Sequence, residues 1–154
     1  MEWLQYLFRP EDLGLMARLG MSTILGGLIG FEREVHGKVA GFRTHSLVAL
    51  GSALVMIISI HIFEIYQGTA AVDPSRIAAQ VITGIGFLGA GTIIRSPEGS
   101  IKGLTTAAGL WTASGIGLAC GLGFYRAALF ATVIALIVLV VFSWIGRLLN
   151  ARDI

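Results

Sequence analysis

The sequence predicts an all-α membrane protein, a polytopic bundle of about five transmembrane helices with the N-terminus outside and the C-terminus cytoplasmic. Three observations carry this reading. The 154 residues are 55% hydrophobic and only 13% charged, whereas a soluble domain averages about 25% charged. Mean hydropathy is +0.83, too apolar for a water-facing globule. Five stretches approach the roughly 20 apolar residues that a bilayer core of about 30 Å requires. The net charge of +2 leaves no electrostatic footprint for nucleic acid.

Residues 1–12, MEWLQYLFRPED, mix aromatic and charged side chains and read as an interfacial amphipathic segment. They lack the basic n-region of a cleaved signal peptide. A transmembrane domain over 13–146 follows, then a short cytoplasmic tail, 147–154. The first span, 13–31, is interrupted by Arg18. Arg18, Ser22, Leu25, Ile29 and Glu32 share one helical face. That stripe either turns inwards or lets Arg18 snorkel to the headgroups. The second span, 44–63, is nearly uncharged. At its outer end His61 and Glu64 are a solvated pair or a proton-linked one.

The third span, 76–95, starts after DPSR. Asp73 is a good N-cap and Pro74 suits a first helical position. The fourth, 104–121, is rich in glycine, serine and threonine, so it belongs in the interior or along a cavity. The fifth, 126–146, is uniformly apolar and belongs on the lipid-facing outside. No polar stripe runs along the second or fifth span, which excludes soluble core helices.

Orientation follows from lysine and arginine. Arg33, Lys38, Arg43, Arg95, Lys102, Arg147 and Arg152 fall on one side, and Arg9, Arg76 and Arg126 on the other, with Arg18 near them. The larger group marks the cytoplasm. The loop EREVHGKVAGFR between the first two spans also contains acids. A purely topological loop needs none, so a plain loop and a structured cytoplasmic site both stay open.

The segment GIGFLGAG, residues 84–91, spells G-x-G-x-x-G. A dinucleotide fingerprint follows a strand and opens a helix. Here the preceding RIAAQVIT continues a helix, so a phosphate cradle is excluded. Gly84 and Gly91 share a face with Gln80 and Arg95, while Gly86 and Gly89 lie nearly opposite. Small residues let membrane helices approach closely. The expectation is a third helix at the centre of the bundle, gripped on two faces. Its Gln80–Arg95 face is either a polar seam or a packing groove. Gly103 and Gly109 are expected to serve close contacts of the fourth span.

Cys120 is the single cysteine and reads as a small packing residue. Neither a His–acid cluster nor a nucleophile–base pair occurs at useful spacing. No enzyme activity, catalytic residue, cofactor or metal site is therefore expected.

Three stretches, LGGLIGFEREVHGKVAGFRTHSLVALGSAL, DPSRIAAQVITGIGFLGAGTIIR and IKGLTTAAGLWTASGIGLACGLGFY, together resemble the membrane domain of the bacterial MgtC/SapB family. The better-known branch of that family carries a C-terminal cytoplasmic domain, and this chain stops at Ile154. The resemblance implies a multi-pass inner-membrane protein serving growth under magnesium limitation or acid stress. In the virulence-associated branch it implies inhibition of the F-type ATP synthase. Carried over singly, the polar positions it points to are Glu32, Arg33, Arg43, Thr44, Asp73, Arg76, Gln80, Arg95, Lys102, Thr105 and Thr106.

The leading expectation is a regulator acting through helix contacts in the bilayer, on the ATP synthase or another membrane protein, and as a homo-oligomer. The alternative is an ion or small-solute transporter or channel. In that case Gln80, Arg95 and the threonines would line a path beside the third and fourth spans.

Overall fold

The computed structural model describes residues 10–68, 71–97 and 99–150. Most of the expected interfacial segment and the end of the expected tail lie outside them. The described residues form five helical rods. These are α1 (Pro10–Val35), α2 (Phe42–Tyr66), α3 (Ser75–Thr92), α4 (Leu104–Leu122) and a long last rod. The last rod comprises α5 (Tyr125–Ile137), a π-helical turn over Val138–Phe142 and α6 (Ser143–Asn150). Tail residues 147–150 are thus helical. Between α3 and α4 lies a small antiparallel hairpin, β1 (Ile94–Arg95) with β2 (Ile101–Lys102). The architecture is an all-α bundle. Residues 12–35, 42–66 and 125–146 are long and apolar enough to cross a membrane by length and composition; α3 and α4 are not among them.

The central helix is α4, not the third span. It buries Thr106, Gly109, Leu110, Ala113, Ser114, Ile116, Gly117, Cys120 and Gly121. By contrast α3 buries only Ala78, Ile85 and Gly89, a single narrow stripe. The expected two-sided grip on its glycines is absent. A Cβ at Gly84, Gly86 or Gly91 would meet nothing within 4 Å, and only Gly89 rests on a neighbour, Ala107 of α4.

The close helix contacts fall on other glycines. A Cβ at Gly26 of α1 would lie 2.6 Å from the Ala49 Cβ of α2, and one at Gly30 would lie 2.7 Å from the Gly41 carbonyl oxygen. From the other side, Gly117 of α4 presses on the Ala49 carbonyl, and a Cβ at Gly121 would lie 2.5 Å from the Ala53 carbonyl oxygen. Ala49 and Ala53 are fully buried. So α2 presents an alanine edge clamped between two Gly-x-x-x-Gly faces, the small-residue packing typical of membrane helices.

The stripe on α1 turns inwards. Ser22, Leu25, Ile29 and Glu32 are all buried. Leu25 and Ile29 join Ile116, Cys120 and Ala128 in one apolar cluster. At its N-terminal end Arg18 does not simply snorkel: its Nη1 donates to the Gly121 carbonyl oxygen at 2.9 Å. Two left-handed glycines set the ends of α4. Gly103 (φ +94°) sits so close to Thr92 that a Cβ would collide with its carbonyl. Gly103 thus makes the expected close contact, at the exit of the hairpin and against the last residue of α3. Gly123 (φ +81°) ends the helix, with Phe124 N donating to the Ala119 carbonyl, a Schellman closure. The last rod buries only Ala128 and Thr132 among α5 residues, consistent with its expected place on the outside.

Candidate functional site

The polar residues concentrate at one end of the bundle, where α1 ends, α2 begins, α3 ends and α4 begins. Half of the segment taken as a long loop is helix. Glu32, Arg33 and Glu34 lie on the last turn of α1, and only residues 36–41 connect it to α2. Three backbone bonds close that turn: His36 N to the Glu32 carbonyl, Gly37 N to that of Glu34 and Lys38 N to that of Arg33. Gly37 takes φ +62° to allow it. Ala40 is buried against Ile85 of α3 and Leu110 of α4, so the connection is pinned into the core. The connection is therefore structured and not a plain loop.

Glu32 and Arg33 are both buried, with side chains 9% and 6% exposed. Arg33 Nη1 lies 3.5 Å from Glu32 Oε2, and His36 Nδ1 lies 3.0 Å from Glu32 Oε1. Glu34 has a different task. Its Oε2 accepts from the Phe42 backbone N–H at 2.8 Å, which satisfies an otherwise orphaned donor at the start of α2.

Behind this pair sit His45 and Ser46, which sequence reasoning did not select. His45 Nδ1 lies 3.0 Å from the Gly41 carbonyl oxygen. A carbonyl only accepts, so Nδ1 carries the hydrogen and Nε2 is left an acceptor. Arg33 Nε, His45 Nε2 and Ser46 Oγ are all buried without a hydrogen-bond partner. Each such atom costs about 1–3 kcal/mol, and unsatisfied buried groups mark places where stability yields to another requirement. The sequence signal for this was the dense run of charged and imidazole groups from Glu32 to His45. What it lacked was the helix register that buries three of them, Glu32, Arg33 and His45.

Arg43 and Thr44, in the first turn of α2, are exposed at the mouth of a groove of about 740 Å³ between α2 and α3. The remaining candidates scatter. Arg95 and Lys102 sit on the exposed hairpin strands. Because α3 ends at Thr92, the expected Gln80–Arg95 helical seam does not exist, and Gln80, Gly84 and Gly91 are exposed. Thr105 lines a separate groove of about 380 Å³ among α1, α4 and α5, together with Thr112, while Thr106 is buried. Thr105 and Thr112 thus open on a groove whose lining does not include Gln80.

Asp73 and Arg76 lie at the far end of α3, about 27 Å away for an 18-residue helix. Pro74 already has helical angles (φ −66°, ψ −16°). Asp73 Oδ1 accepts from Ser75 N at 2.8 Å and from Ser75 Oγ at 2.7 Å, which is the expected cap. Those bonds, the hydroxyl's first, hold the carboxyl below its ordinary value. His61 and Glu64 approach only to 4.0 Å and are largely exposed. Among the described residues no group of three or more His, Cys, Asp or Glu is placed to hold a metal ion.

Comparison with known proteins places this architecture. The MgtC family profile matches residues 19–148. "Putative magnesium transporter YhiD" of Escherichia coli strain K12 is 46% identical over 136 residues, covering 86% of this chain and 63% of that protein. "Protein SapB" of Bacillus subtilis is 39% identical over 141 residues, covering 88% of this chain and 60% of the relative. "Protein MgtC" of Brucella abortus is 46% identical over 93 residues, covering 60% of this chain and 36% of the relative. The chain thus spans about three fifths of the length of its full-domain relatives. No solved structure matches it. With a matched segment that includes the buried Glu32–Arg33 pair, the α2 alanine edge and the whole of α4, this membrane protein belongs to the MgtC family.

Proposed function

We propose that the protein is an inner-membrane regulator of stress adaptation, with the α1–α2 connection in the cytoplasm. It acts by lateral helix contact with another membrane protein or a second copy of itself, and not as an enzyme. One observation carries this reading. Both α3 and α4 fall short of the apolar composition of a lipid-facing span. For α4 the reason is visible, since other helices enclose it. For α3 it is not, because α3 lies at the edge. Its outer side presents Gln80, Thr83, Gly86 and Gly91, all exposed, around Phe87, which is 83% exposed. Small and polar faces of this kind drive helix association in bilayers.

The family resemblance directs this contact towards magnesium-limited or acid-stressed growth, with a virulence role. An F-type ATP synthase is the proposed partner. The relative named "Putative magnesium transporter YhiD" favours the transport alternative. Against that reading, the residues offered for a conduction path open on separate surfaces. Purified protein in liposomes distinguishes the two. The regulator reading expects no Mg²⁺ or proton flux above protein-free vesicles, and flux that Arg95→Ala abolishes overturns it.

A further inference from the structure

The groove between α2 and α3 has an amphiphilic shape. At its mouth is a polar pocket of about 220 Å³ lined by Glu34, Lys38, Arg43 and Thr44. Arg43 and Thr44 are shared with the apolar groove of about 740 Å³ that runs down past Gly51 and Val55 of α2 and Gly84 and Leu88 of α3. The two cavities thus border on the same two residues, which sets a basic head beside an apolar body. From these we infer that the protein binds one anionic phospholipid here, its headgroup on Lys38 and Arg43 and an acyl chain between α2 and α3.

Charge and length both select this occupant. Glu34 accepts the Phe42 N–H at 2.8 Å and keeps its charge, so with Lys38 and Arg43 the pocket lining carries a net charge of +1. The N-terminal dipole of α2 adds to it. Basic pockets between membrane helices are a recurrent headgroup site. Along α2 the groove runs from Arg43 to Val55, about 18 Å at 1.5 Å per residue. That is close to one leaflet, half of a hydrocarbon core of about 30 Å. A partner helix crossing the bilayer would call for a groove about twice as long. Glycines on both walls keep it open: a Cβ at Gly51 or at Gly84 would meet nothing within 4 Å. This site is separate from the outer face around Phe87 and does not depend on a protein partner there.

Native mass spectrometry of the purified full chain tests it, with phosphatidylglycerol and phosphatidylcholine offered at matched concentrations. The wild type retains one phosphatidylglycerol in preference to phosphatidylcholine. Arg43→Gln and Lys38→Gln each reduce that preference about fivefold, as expected for one basic residue near an anionic lipid surface, while Arg126→Gln does not. Gly84→Leu fills the groove and lowers retention of both lipids, and Gly51→Leu provides the same reading from the opposite wall. Equal retention of the two lipids by wild type, or an unchanged preference in Arg43→Gln and Lys38→Gln, overturns the proposal. So does a Gly84→Leu variant whose oligomer mass changes while bound lipid does not, because the groove then holds a helix of a second copy.

Discussion

His45 of α2 meets α4 at Gly109, where an added Cβ would lie 3.2 Å from the imidazole Nε2. The ring cannot simply swing away, since its other nitrogen is tied to the Gly41 carbonyl oxygen at the turn that ends the α1–α2 connection. Gly109→Ala is therefore expected to lose about 1–3 kcal/mol, the usual cost of overpacking. Gly86→Ala, with open space around it, is expected to change stability by less than about 1 kcal/mol in either direction. Thermal unfolding of the two variants in detergent checks the contrast.

The glycines sort by what they touch. Gly117→Leu drives a side chain into the Ala49 carbonyl and is expected to abolish accumulation of folded protein. Gly84→Leu is expected to fold normally, although the spacing of GIGFLGAG alone points to the opposite result. Size-exclusion profiles of the two variants, expressed side by side, decide this.

The buried Glu32–Arg33 pair predicts non-additivity. Glu32→Ala leaves the half-satisfied Arg33 guanidinium buried and alone, at an expected cost of about 3–5 kcal/mol. The double variant with Arg33→Met removes both charges and is expected to be less damaged than Glu32→Ala. A double-mutant cycle from unfolding data gives the coupling, and strict additivity contradicts the account.

Asp73 predicts the sign of one pH effect. Its carboxyl is held below its ordinary value of 3.8 by the Ser75 hydroxyl and backbone N–H. The capping contribution is thus fully present above pH 3.8 and is lost as pH falls through the lower folded value. Asp73→Asn is expected to flatten this acid limb. A carboxyl ¹³C titration with a midpoint at or above 3.8 contradicts it.

Much of the fold was legible in the residues. Apolar runs gave the helices, Asp73 its cap, and the Arg18–Glu32 spacing the inward face of α1. Centrality was misassigned because glycine content does not say whether a neighbour is present. The glycines of α3 and those of α4 look alike in sequence, yet Gly117 and Gly121 touch α2 while Gly84 and Gly91 touch nothing. The spacing of Gly26 with Gly30, and of Gly117 with Gly121, held the usable signal. At the candidate site, the charge run marked the place. Burial of His45 and Ser46 was hidden because both lie where a span begins, and only the packing of α1 and α4 on α2 encloses them. The end of α3 at Thr92 was equally hidden, since the hairpin depends on the left-handed Gly103.

The claim at the centre of this account is that the outer face of α3 is covered by another polypeptide in the membrane. A photo-crosslinking residue placed at Phe87 in native membranes tests it most directly, with the same probe at Phe130 of α5 as the lipid-facing reference. The account predicts a discrete protein adduct from Phe87, to a second copy or to another membrane protein, and only lipid adducts from Phe130. Lipid adducts alone from both positions would contradict it.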